Sequence, residues 1–232
     1  TMGAVAVTEQ GIINEAHRRG MVVPDRVRRE PGSDPAAGAY VAYPKKGLQD
    51  WIGSIDINSL YPSVIRALNM APETIVGQLR QTLTESTIEQ RMTVEKKSFA
   101  GAWEGEFGSL EYQAVMRKDR AQSITIDWET GESNILSAAE VYELIFNNDQ
   151  PWMLSANGTI FTHEFAGVIP GLLERWYSER KELQAKRKKA IDAGNKTETA
   201  FWDKRQLVKK INLNSLYGAI LNPGCRFFDT RI

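Results

Sequence analysis

Apolar residues along this chain recur first at helical spacing, then at strand spacing, then at helical spacing again. In residues 5–22 the positions Ile12, Ile13 and Ala16 share one face, which predicts a helix ending near Gly20. Residues 26–35 are charged and contain Pro and Gly, as a loop does, and strand-like text begins at Gly38-Ala39-Tyr40-Val41. Trp51, Ile52, Ile55 and Ile57 form an apolar run that reads as a short buried strand. Val64-Ile65-Arg66-Ala67-Leu68 beyond it reads as helix. Between 79 and 148 the pattern is mixed: a polar helix, a hairpin at 123–135, then a helix from Ser137. Asn157-Gly158 predicts a tight turn between strands at 152–155 and 159–162. Two long helices follow, turned by Asp192-Ala193-Gly194-Asn195. The first, 167–190, has Pro170 in its first turn and Leu172, Leu173, Trp176 and Leu183 on one face; the second, about 199–221, bears Trp202, Leu207, Ile211 and Leu213. No internal repeat is present. The fold class expected is α+β, an antiparallel sheet with helices plus a projecting helical hairpin.

Composition narrows this little. The 232 residues are 42% hydrophobic, enough for a substantial core in one large domain or two small ones. No apolar run reaches the roughly 18 residues a membrane span needs, and no charged-then-apolar leader precedes the first helix, so a cytoplasmic protein without membrane contact is expected. The single Cys225 excludes an internal disulfide and fits a reducing compartment. With only His17, His163 and that cysteine, a zinc site has too few ligands.

Charge changes the picture more. The formal net charge is zero, yet residues 174–210 hold twelve Lys or Arg against six Asp or Glu, so this segment is +6 and the remainder −6. A basic lobe on an acidic base suits a protein that holds phosphates on one side and metal on the other.

Two motifs carry the chemistry. The first, Asp56-Ile57-Asn58-Ser59-Leu60-Tyr61-Pro62-Ser63, places a carboxylate at a strand end just before a helix start. Such a carboxylate suits Mg²⁺, and the unpaired N–H groups of a first helical turn suit phosphate oxygens. A lone Asp there would more simply cap the helix. The second motif, Lys210-Ile211-Asn212-Leu213-Asn214-Ser215-Leu216-Tyr217-Gly218, lies on a helix whose spacing sets Lys210, Asn214 and Tyr217 on one face.

In that order and at that separation, the pair resembles motifs A and B of family B (polymerase-α-like) DNA polymerases. Flanking text such as Ala71-Pro72-Glu73-Thr74-Ile75 and Arg226-Phe227-Phe228-Asp229 resembles the replicative polymerases of T-even-type bacteriophages, which would place the protein in a bacterial host cytoplasm. The resemblance covers nearly the whole chain and is weakest at about 80–150. It implies a palm at 36–165, interrupted by an insertion at about 79–150, fingers at 166–218 and a return to the palm at 219–232. Residues 1–35 would be an N-terminal helix and linker. Family members carry a Tyr-x-Gly-Gly/Ala element where this chain has Ala36-Ala37-Gly38-Ala39, without the Tyr.

The resemblance also implies DNA-directed DNA synthesis, with primer-template DNA and dNTP as partners and two Mg²⁺ ions as cofactors. Asp56 would bridge both ions and the Ile57 carbonyl would reach one of them. The amides of Ser59, Leu60 and Tyr61 would cradle the β- and γ-phosphates, with the Tyr61 ring excluding a ribose 2′-hydroxyl. Lys210 would bind phosphate and protonate the leaving group, and Arg180 would take the γ-phosphate. One turn further on, where the family often has a second lysine, stands Gln184, with Lys186 and Arg187 nearby. Asn214 and Tyr217 would face the nascent base pair, and Gly218 would let template bases approach the backbone.

Three stretches imitate function. Asp127-Trp128-Glu129-Thr130 resembles an exonuclease motif but falls after motif A and reads as a hairpin. Asp229-Thr230 resembles the start of motif C, with Arg231 where the second Asp belongs. Lys186-Arg187-Lys188-Lys189 resembles a nuclear-import patch and reads better as a basic, DNA-facing helix. The chain runs 14 residues past Gly218 without a motif C, so the expectation is a chain inactive alone, needing a second polypeptide that carries motif C and the thumb. Two alternatives stay open: a non-catalytic nucleic-acid-binding module that keeps the fold, and an RNA-making or protein-primed nucleotidyl transferase.

Overall fold

The computed structural model describes residues 3–26, 43–57, 59–80, 89–98, 102, 116–147 and 149–232. The expected loop beyond Arg26, the Ala36–Ala39 element and the start of the polar helix near 81–88 lie outside these residues.

Helix α1 (Ala4–Arg18) buries Ile12 and Ala16, as their spacing requires. It stops before Gly20, whose φ of 71° suits a residue without a Cβ. The same helix buries two acids. Glu9 accepts from the Arg226 backbone N–H at 2.8 Å and from Arg26 at 2.5 Å. Glu15 accepts from Arg18 at 2.6 Å and Arg19 at 2.9 Å, and Arg175 stands 3.0 Å away. Burial pushes the Glu15 carboxyl up, but the Arg18 and Arg19 bonds and the Arg175 charge outweigh it and hold it below the usual range.

Helix α2 (Leu60–Ala67) is followed by a 3₁₀ turn and strand β1 (Ile75–Leu79). The predicted hairpin is β2 (Ser123–Trp128) and β3 (Ser133–Ser137), turned at Gly131 with φ 88°. Ser137 then caps α3 (Ala138–Tyr142): its Oγ accepts from Glu140 N, and Glu140 returns a carboxylate to Ser137 N. After a π-helical turn (Glu143–Asn147) come β4 (Trp152–Leu154) and β5 (Thr159–Thr162), joined through Asn157-Gly158 as expected. All pairings are antiparallel, in the order β3-β2-β1-β5-β4. The α+β class expected from the sequence is therefore the observed one.

Helices α4 (Val168–Asp192) and α5 (Lys196–Ile220) form the long hairpin. Gly194 turns at φ 68° and Asn195 caps α5 by accepting from Glu198 N at 3.1 Å, so α5 starts three residues earlier than the apolar pattern indicated. Leu213 and Leu216 are buried, whereas Leu207 and Ile211 face outward.

Two cores result. One gathers α1, α2, α4 and α5 around Ile12, Ile65, Leu172, Trp176, Leu213 and Phe227. The other lies under the sheet around Leu79, Ile126, Val141 and Ile160. Asn69 ties them together, in a left-handed conformation (φ 54°) that asparagine tolerates better than most residues. Its Nδ2 donates to Thr162 O at 2.7 Å and Phe165 O at 2.8 Å, and its Oδ1 accepts from Gly167 N at 2.9 Å. The C-terminal residues add a second tie, because Arg231 bonds Asp229 and reaches Glu129 in the β2–β3 turn.

One expectation fails. Residues 51–57 are not a strand in this structure, and their apolar side chains are not buried: Trp51 is 102% and Ile55 95% exposed. A strand needs a ladder partner, and none of the five strands among the described residues pairs with this run.

Candidate active site

The two motifs lie about 150 residues apart in sequence and meet at one cavity. Ser59, just before α2, holds the left-handed conformation (φ 55°, ψ 51°), which costs an L-residue about 1–2 kcal/mol. Through that bend Asp56 and the first turn of α2 face the same opening. Across it stand Arg180 from α4 and Lys210, Asn214 and Tyr217 from α5. A cavity of about 490 Å³ is lined by Asp56, Ser59, Leu60, Tyr61, Pro62, Arg180, Lys210, Asn214 and Tyr217. Pro62 sits within the first turn of α2, where its missing N–H removes no helix bond.

A carboxylate thus occupies one wall and two cations the other. Between them the rings of Tyr61 and Tyr217 stack, centroids 4.0 Å apart and 12° from parallel. Burial pushes the Tyr217 phenol up, and the neighbouring Tyr61 adds to the shift.

The cavity brings together eight of the ten site residues expected from the sequence. Ile57 follows Asp56 but its side chain is exposed and does not line the opening. Gly218 is exposed as well, and a Cβ there would meet nothing within 4 Å. Gln184 also faces solvent, while Lys186 lies over the Trp202 ring and Arg187 pairs with Asp203 at 2.8 Å. Arg180 is therefore the one α4 cation lining the cavity. Among the described residues no group of three His, Cys, Asp or Glu gathers to hold a metal.

The imitations resolve structurally. Asp127 takes both Arg80 and Ser133 in the β2–β3 hairpin, and these bonds hold its carboxyl down at about 2. Asp229 binds Arg231. One residue at the site was not legible beforehand: Gln206, which accepts from Arg180 Nε at 3.5 Å. Its signal in sequence is faint, an uncharged amide one helical turn before Lys210 in a basic stretch.

Comparison with known proteins settles the family. The sequence profile of DNA polymerase family B matches residues 2–228. The chain belongs to DNA polymerase family B. It is 25% identical to the DNA-directed DNA polymerase of Enterobacteria phage T4 over 99% of this chain and 25% of that protein. It is also 25% identical to DNA polymerase 2 of Aeropyrum pernix, over 95% of this chain and 19% of that one. Among solved structures, the family B DNA polymerase from the archaeon Pyrobaculum calidifontis superposes with a TM-score of 0.55 at 20% identity. That match covers 98% of this chain and 21% of the archaeal one. These 232 residues thus span about a quarter or less of the family B relatives they match.

Proposed function

We propose that this chain is the palm-and-fingers portion of a DNA-dependent DNA polymerase, transferring a nucleotide from dNTP to a primer 3′-hydroxyl on a DNA template. Residues 36–165 and 219–232 would be palm and 166–218 fingers. The observation that carries the reading is the single cavity walled by Asp56 and the α2 N-terminus on one side and Arg180, Lys210 and Asn214 on the other.

Each residue has a physical task there. The Leu60 and Tyr61 amides point an unpaired helix start at phosphate oxygens, which the helix dipole favours. Arg180 offers a planar fork that two phosphate oxygens fill, and Lys210 supplies a point charge able to pass a proton to a leaving pyrophosphate. Tyr61 fills the space a ribose 2′-hydroxyl needs, which favours dNTP. Asn214 and Tyr217 present polar and aromatic edges to the base pair being formed.

Polymerases of this kind use two Mg²⁺ ions to lower the nucleophile's pKa and offset charge on the leaving group. Asp56 and the Ile57 carbonyl do not fit such a pair by themselves. In the proposed enzyme further carboxylates come from outside these residues, in the same polypeptide or a second one. The exposed apolar run at 51–57 supports this, since strands from such a segment would cover it.

The test supplies the chain with a polypeptide carrying motif C and the thumb and measures primer extension. Extension should appear only in the mixture and vanish with Asp56→Ala. Undiminished extension by that variant would remove the catalytic assignment. The absence of a metal-holding cluster among the described residues favours one second reading, a module that binds nucleic acid without catalysis. Under it, DNA binding persists in the mixture and extension never appears.

A further inference from the structure

Three polar rungs cross the α4–α5 interface, and they differ in kind. Glu179 pairs with Lys209, and Arg187 pairs with Asp203 at 2.8 Å. Each of these sets a cation against a carboxylate. The third rung, between them, sets Arg180 against the neutral amide of Gln206, with Arg180 Nε donating to Oε1 at 3.5 Å. Gln206 is itself tethered, its Nε2 donating to Asp203 Oδ1 at 3.2 Å. That tether orients the amide with its oxygen toward Arg180. The Asp203 charge is spent on Arg187, so it does not neutralise Arg180.

We propose that Gln206 is a positioning residue that aims Arg180 into the cavity while leaving its positive charge uncompensated. With Nε held by the amide, the two terminal NH₂ groups are the ones left for a ligand, and they form the fork that matches phosphate oxygens. A carboxylate at 206 would hold the arginine more firmly and spend its charge, as the two flanking rungs do. The neutral rung belongs to the cavity that must attract an anionic polyphosphate. This inference rests on the nucleotide-site reading and adds to it a residue that touches no substrate.

The experiment measures binding of inorganic tripolyphosphate to the 232-residue chain by calorimetry at low salt. The variants are Arg180→Ala, Gln206→Met, Gln206→Glu and Arg180→Ala with Gln206→Met, each checked for fold by circular dichroism. Gln206→Met keeps length but removes the acceptor and should weaken binding by roughly threefold to tenfold, the scale of one modest hydrogen bond. Gln206→Glu should weaken it by about tenfold or more, since it places a counter-charge on the fork. In the Arg180→Ala background Gln206→Met should have no further effect. Wild-type affinity in Gln206→Glu, or a Gln206→Met loss that persists undiminished without Arg180, overturns the positioning role while the site reading stands. Equal binding by wild type and Arg180→Ala, or no binding by wild type, overturns the site reading and this inference together. Should Gln206→Met fail to fold, Gln206→Glu, which preserves length and an acceptor, decides the matter alone.

Discussion

Tyr61 and Tyr217 show how one side chain's task depends on another. A ring proposed to exclude a 2′-hydroxyl would have to be held still, and the parallel stack at 4.0 Å holds Tyr61 by its face. In the proposed enzyme bulk, not the phenol hydroxyl, would do the excluding. Tyr61→Ala is therefore expected to admit ribonucleotides, lowering the ratio of kcat/KM for dNTP over rNTP, with dNTP use roughly intact. Tyr61→Phe keeps the ring and should leave that ratio unchanged. Single-nucleotide incorporation by the chain mixed with a polypeptide carrying motif C and the thumb measures both, and an unchanged ratio in Tyr61→Ala would leave the ring only a packing role.

Among the elements, the joint between α2, β5 and α4 depends most on one residue. Asn69 is buried and serves the Thr162 and Phe165 carbonyls and the Gly167 N–H just ahead of α4. Asn69→Ala strands three polar groups, and a buried group left unpaired costs about 1–3 kcal/mol. Loss of roughly 3 kcal/mol or more is expected in chemical denaturation. Asn69→Gly removes the same bonds but tolerates φ 54°, so it should be less harmful than Ala by about 1 kcal/mol. Equal stability of Ala and wild type would show that α4 is placed by apolar packing alone.

At the scale of the whole molecule, an exposed apolar surface stands beside a finished core. Trp51, Ile52, Ile55 and Ile57 are exposed, with Leu60 and Val64 just beyond them on α2. In the proposed enzyme these apolar side chains would be covered by a further segment. The emission lost in Trp51→Phe should be red-shifted and readily quenched by acrylamide in the chain alone. It should become protected when the segment carrying motif C is added. Quenching of that component unaltered by the addition would show that the added segment does not cover the run.

Local chemistry determined much of this protein in advance. Asn157-Gly158 turns its hairpin wherever the strands lie, Gly194 and Asn195 end one helix and cap the next, and spacings of four and three set Lys210, Asn214 and Tyr217 on one face. The sequence also carried the pairing of motifs that proved to share a cavity. What it could not carry were contacts between distant segments. An apolar run reads as a buried strand, but burial requires a partner, and the described residues provide none for 51–57. The three-way tie of Asn69 and the Arg180–Gln206 rung join residues 93 to 98 and 26 positions apart, and only packing of the helices brings them within bonding distance. A hydrogen bond's partner is a matter of tertiary geometry; its donor and acceptor types are all that the residue itself determines.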